Sequence, residues 1–69
     1  MIIDVVINYA IVHGLHFTFL TESGELSEYM PEAMLFSNRD SANDYIWELD
    51  YPLNFHSIKI ETKYTIGGI

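Results

Sequence analysis

The chain has 69 residues, no cysteine and a formal net charge of −7, with 49% apolar residues that include five Tyr, four Phe and one Trp. That is one domain at most, with enough apolar mass for a core and no means of building a disulfide framework or a thiolate metal site. Ten acids against three bases argue against direct binding of DNA or RNA, which needs Lys and Arg to displace counterions.

Ile2 to Val12 reads as a strand. Ile3, Val5, Ile7, Tyr9 and Ile11 fall on one face at period two, and Asp4, Val6, Asn8, Ala10 and Val12 on the other. Its β-branched composition disfavours a helix. Asp4, Asn8, His13 and His16 break the run well short of the roughly 18 apolar residues a membrane helix needs. No basic stretch opens a signal peptide, so a cytosolic location is expected. His13-Gly14 predicts a tight turn with Gly at positive φ. A second strand over 15–21 follows, with Leu15, Phe17 and Phe19 on one face.

Glu22-Ser23-Gly24-Glu25 is a turn signal, and the stretch from there to Pro31 is irregular. Pro31-Glu32-Ala33 can open a single helical turn, since Pro suits the first helical position. Ser37-Asn38-Arg39-Asp40 has the spacing of a capping box with Ser37 as N-cap. The helix it opens is predicted over 38–49, because Pro52 stops it soon after. Ala42, Tyr45, Ile46 and Leu49 form its buried stripe. Asp40, Asp44, Trp47, Glu48 and Tyr51 form a second stripe. After a loop, Phe55 to Ile66 alternates Ile58, Ile60, Tyr64 and Ile66 with Lys59, Glu61, Lys63 and Thr65, and 57–66 is predicted as the last strand. The expected fold is a two-layer α+β domain, ββαβ, with a three-stranded antiparallel sheet in the order 2-1-3 and one helix on one face. Ile46 is expected against the sheet, touching Phe17 or Phe19.

The segment Glu32-Ala33-Met34-Leu35-Phe36-Ser37-Asn38-Arg39-Asp40-Ser41-Ala42 resembles a pattern of small phage-encoded ββαβ proteins. There, an acid-Ala pair precedes an apolar-Phe step, a Ser, an Arg-acid pair and an Ala inside the helix. The resemblance covers roughly residues 9–64. The first strand is longer here, and the segment before Glu32 lacks the Trp often found in that pattern. The group includes anti-CRISPR and other anti-defence inhibitors, so the resemblance implies the ββαβ fold and an inhibitory binding role.

The charge is uneven. Between Glu22 and Asp50 there are eight acids and one base, Arg39, so this segment carries the whole −7, while Asp4 and Glu61 balance Lys59 and Lys63. Two readings stand. The acids can form a solvated surface that keeps the protein soluble, or they can dock onto a basic partner. Asp40, Asp44 and Glu48 stack at i, i+4, i+8 with no base among them, an arrangement that weakens an isolated helix. Trp47 lies off the buried stripe, either packed at the sheet edge or exposed as an aromatic anchor among charges.

The expected partner surface is therefore Asp40, Asp44, Trp47, Glu48 and Tyr51 with Glu25, Glu28 and Glu32. The expected partner is a nucleic-acid-binding host protein with a basic groove, such as a CRISPR effector, whose phosphate ligand the carboxylates imitate. The alternative is an assembly module that dimerises through its sheet, using Val6, Ala10 and Val12 on the outer face of the first strand. No catalytic residue, cofactor or metal is expected. His13, His16 and His56 have no acid fixed beside them, and the helix acids have no cleft or phosphate-holding base. No phosphate loop or nucleophile motif occurs.

Overall fold

A computed structural model describes residues 2–14 and 17–66. The elements in chain order are β1 (Ile2–His13), β2 (Thr18–Leu20), β3 (Leu26–Ser27), a 3-10 turn (Met30–Glu32), the helix α1 (Arg39–Trp47), a second 3-10 turn (Pro52–Asn54) and β4 (Phe55–Thr65). The fold is α+β, with an antiparallel sheet in the order β3-β2-β1-β4. The last strand lies antiparallel beside the first, as the sequence predicts. The sheet has four strands and not three, because two residues of the segment read as irregular, Leu26 and Ser27, pair with Leu20 and Phe19. The hairpin turn is the one marked by Glu22-Ser23-Gly24-Glu25. Gly24 N–H donates to the Thr21 carbonyl at 3.0 Å, and Gly24 holds φ +87°, a conformation that needs no Cβ.

The first hairpin departs from expectation. β1 runs on through His13, and β2 begins only at Thr18, opposite it. Gly14 N–H donates to the Asn54 carbonyl at 2.8 Å, which extends the β1–β4 ladder by one step. The positive φ falls on Phe17, at 50°. Phe17 is 71% exposed and is no part of the core. The predicted Leu15 and His16 positions lie outside the described residues.

The helix starts one residue later than predicted and ends two earlier. Its N-cap is Asn38, not Ser37: the Asn38 side-chain oxygen accepts from Ser41 N–H at 2.8 Å. Asn caps as well as Ser does, so residue type alone could not choose between neighbours. Glu48 closes the C-terminal end, and Leu49 N–H folds back to the Ile46 carbonyl at 3.0 Å. Leu49 still packs on the core.

The core is small. Ile11, Leu20, Ala42 and Ile46 form it, with Tyr9, Met34, Phe36, Tyr45, Leu49 and Phe55 packed around them. Ile46 is buried as expected, 6% exposed. The β2 residue in its cluster is Leu20. Phe19 pairs with Val12 and so shares the face turned away from the helix. Phe36 docks on β1 where β2 stops, exchanging two 2.8 Å backbone bonds with Tyr9, and its ring tilts against Tyr45.

Cross-strand pairs fix the faces. Tyr9, Ile11 and His13 pair with Lys59, Ser57 and Phe55, and Ser57 on that face donates to the Asn43 side chain of α1 at 2.9 Å. Beyond Ser57 the helix-side residues of β4 are Lys59, Glu61 and Lys63, which need no cover. The apolar series Ile58, Ile60 and Tyr64 points to the opposite face, beside Val6, Ala10, Val12 and Phe19. Ala10 and Val12 are completely buried there, flanked by Ile58 and Phe19. Of the three residues named for a dimer surface, Ala10 and Val12 are thus covered within one chain, and Val6 is half-buried.

β1 and β4 are far longer than α1. A helix of nine residues spans about 14 Å, whereas a strand of eleven spans about 37 Å. The paired ends of β1 and β4 project past the helix as a two-stranded arm, and the molecule measures 49 × 23 × 20 Å.

Candidate functional site

The eight predicted partner-binding residues are all exposed, but the fold separates Glu25, Glu28 and Glu32 from the five on and after the helix. Glu25, Glu28 and Glu32 line an open hollow at the β2–β3 end together with Glu22 and Tyr29. Local bonds shape it. The Thr21 hydroxyl donates to the Glu25 carbonyl at 2.8 Å, and the Ser27 hydroxyl donates to the Glu32 carboxylate. No residue of α1 lines this hollow. Asp40 and Asp44 are one turn apart on α1, and Glu48 is its C-cap.

Of those five, Trp47 and Tyr51 lie on the β4 side of the sheet. With Asp50, Pro52, Leu53 and Asn54 they line a shallow apolar concavity. Trp47 is 68% exposed, Tyr51 70% and Leu53 88%. The helix ends at Trp47, and Pro52 starts a 3-10 turn within the same short connection. The chain is therefore folded back tightly enough to group three large side chains with no core to enter. Trp47 is thus exposed and not packed away at the sheet edge. Leu53, Pro52 and Asp50 were missed in the sequence. The available signal was an apolar residue directly after Pro52, in a connection too short to bury it.

The electrostatics reinforce this. Arg39, the one base of the acidic segment, lies 5.2 Å from the Tyr9 ring centroid, a cation–π distance. Among the described residues the one salt bridge is Lys59–Glu61 at 3.0 Å, away from this segment. The hydrogen bond and charge of Lys59, then the charge of Lys63, hold the Glu61 carboxyl below the usual glutamate value.

Among the described residues no group of three His, Asp or Glu could hold a metal ion. His13 and His56 sit on opposite faces, since His13 pairs with Phe55 and Val12 with His56. The His13 ring meets the Phe55 ring edge-on at 5.3 Å. No described helix is long and apolar enough to cross a membrane. No family model matches the chain, and neither a search of curated proteins nor one of solved structures finds a similar protein.

Proposed function

We propose that this protein is a non-catalytic binding module that docks onto a basic, nucleic-acid-binding protein. In this reading it is an inhibitor of the kind carried by phages and mobile elements, acting on a host defence protein such as a CRISPR effector. The observation that carries the binding role is the exposed Trp47–Tyr51–Leu53 cluster, with Asp50 in its lining. Large apolar side chains framed by charge have the composition of a binding hot spot, with the aromatics supplying buried area and the rim steering encounter. Asp44 precedes Trp47 by about one turn and Glu48 follows it directly, and in this reading they extend the negative rim. The inhibitory role rests on the resemblance of residues 32–42 to small phage proteins and on the −7 charge, which suits occupation of a phosphate-binding groove.

The test begins with affinity capture from host cells and identification of the bound protein. Binding kinetics then follow at two salt concentrations. Asp44→Lys with Glu48→Lys is expected to slow association, with the loss shrinking at high salt. Trp47→Ala and Leu53→Ala are expected to speed dissociation by about tenfold or more. Wild-type kinetics in all of these variants would return the acids to a purely solubilising role.

A further inference from the structure

The outer edge of β4 differs from the free edge of β1. Gly14 N–H bonds the Asn54 carbonyl in the same register that pairs Val12 with His56, Ala10 with Ile58 and Asn8 with Ile60. The even-numbered residues of β4 therefore exchange backbone bonds with β1, and the odd-numbered ones point theirs outward. The same alternation turns Tyr9 toward Phe36 on the other side of β1. Ser57, Lys59, Glu61 and Lys63 thus present open N–H and C=O groups along a straight strand with no internal proline or bulge. Such an edge is a template for another strand.

The free edge of β1 is partly protected by comparison. Val5 N–H, which points outward there, is taken by the Asp4 carboxylate at 2.8 Å, and the Tyr9 groups are taken by Phe36. On β4, Phe55 N–H is taken by the Pro52 carbonyl. From Ser57 to Lys63 no bond to the outward groups occurs among the described residues.

Charge selects the occupant. The −7 resides between Glu22 and Asp50, whereas β4 carries Lys59, Glu61 and Lys63, so the strand edge itself is net positive where a second acidic chain would approach. Antiparallel registers about a two-fold axis are sharply unequal. An axis at Glu61 sets Glu61 against Glu61, and an axis at Lys59 sets Lys59 against Lys59. An axis at Thr62 matches Glu61 with Lys63 but leaves the first residues of β4 without partners. An axis at Ile60, the midpoint of Phe55–Thr65, matches Lys59 with Glu61 twice and pairs the open stretch from Ser57 to Lys63 end to end.

We propose that two copies of this chain associate edge to edge through β4, about a two-fold axis at Ile60, with Lys59 of each opposite Glu61 of the other. Ser57 then faces Lys63 across the seam, and the two Ile60 side chains meet on the face away from the helices. The product is one continuous eight-stranded sheet carrying both helices on the same face. The interface uses none of the Trp47–Leu53 cluster, so its failure and the failure of the proposed docking role are separate outcomes.

Light scattering and sedimentation of the full chain test the pairing, with circular dichroism confirming that each variant is folded. A concentration-dependent dimer is expected for the wild type. Lys59→Glu or Glu61→Lys alone should raise its dissociation constant by about tenfold or more, and the double exchange should restore it. The exchange restores pairing only about Ile60, because about Thr62 it would oppose two lysines. Glu61→Pro should also abolish the dimer and keep the β1–β4 ladder, as the lost N–H points outward.

Since the chain has no cysteine, Ile60→Cys supplies a direct probe of the axis. Non-hydrogen-bonded partners have Cα atoms about 4.5 Å apart, within disulfide reach. Ile60→Cys should cross-link under mild oxidation and Thr62→Cys should not. A monomer at millimolar concentration, a dimer indifferent to both single charge reversals, or cross-linking at residue 62 instead of 60 would overturn the proposal.

Discussion

The two halves of the β1–β4 ribbon carry the same pairing and nearly the same alternation, yet one is core and the other is surface. Where α1 lies across it, Ile11 is fully buried, whereas Val5 and Ile7, on the same face of the same strand, are exposed. The composition of β1 does not distinguish them. The cross-strand neighbours do: Ile11 faces Ser57, which is bonded to the helix, while Ile7 and Val5 face Glu61 and Lys63. Burial along a strand is thus set by how far the covering helix reaches, and charges on the facing strand mark where it ends.

This contrast is broken most directly by cutting one side chain from each half. Ile46→Ala removes the helix residue seated on the covered half and should cost about 2–5 kcal/mol, a large part of the stability of a domain this size. Ile7→Ala, made on the bare half, should cost about 1 kcal/mol or less, because a half-exposed side chain loses little burial. Thermal or urea unfolding of both variants checks the pair. Equal losses would show that the arm is as much core as the helix-covered end.

The helix cap sharpens the same comparison at an intermediate scale. Asn38→Ala leaves the Ser41 N–H without its acceptor and should cost about 1 kcal/mol. Hydrogen exchange should then quicken in α1 and in the strand residues beneath it. Amides of the arm should exchange as in the wild type, since no helix contact holds them.

The smallest effect belongs to the arm itself. The folded state holds the Glu61 carboxyl below its usual value, so the charged form is favoured by folding. That contribution is present above the ordinary glutamate value and disappears as the pH falls through the lowered one. Because Glu61 is exposed and screened, the influence on global stability is slight, and NMR titration is the suitable measurement. The Glu61 midpoint should lie below the usual glutamate value, and Lys59→Gln should bring it back toward that value.

Much of this arrangement is legible in the residues. Period two gives way to 3.6 and returns, which locates β1, α1 and β4, and the stripe of Ala42, Tyr45, Ile46 and Leu49 faces the core as its spacing requires. Register is not legible at that level. Phe17 and Phe19 look like core residues on composition, but the four-residue connection after His13 sends Phe17 into solvent and gives the core position to Leu20. Likewise the alternation of Ile58 and Ile60 with charged residues does not say which face they take, and pairing with Ala10 and Asn8 turns them away from the helix. A one-residue change of register exchanges the faces of a strand, and nothing within the strand itself reports it. For the candidate site, Trp47 and Tyr51 could be read from the helix pattern. Their union with Leu53 depends on the fold of the Asp50–Asn54 connection, and the separation of Glu25, Glu28 and Glu32 from them depends on strand order.

Pairing the first strand with the last also governs how the chain reaches its native state. The most extensive ladder joins residues separated by nearly the whole sequence, so the entropy of closing that loop is spent before its reward arrives. β2, β3 and α1 can form local structure early, but the floor on which α1 rests includes Ser57 and Phe55. A growing chain therefore carries most of the β1 ladder without its partner until β4 has been synthesised, since β2 pairs only with the end of β1. During that interval β1 is the segment most exposed to misassociation, and Asp4, whose carboxylate takes the outward Val5 amide in the folded state, is the one charge along it.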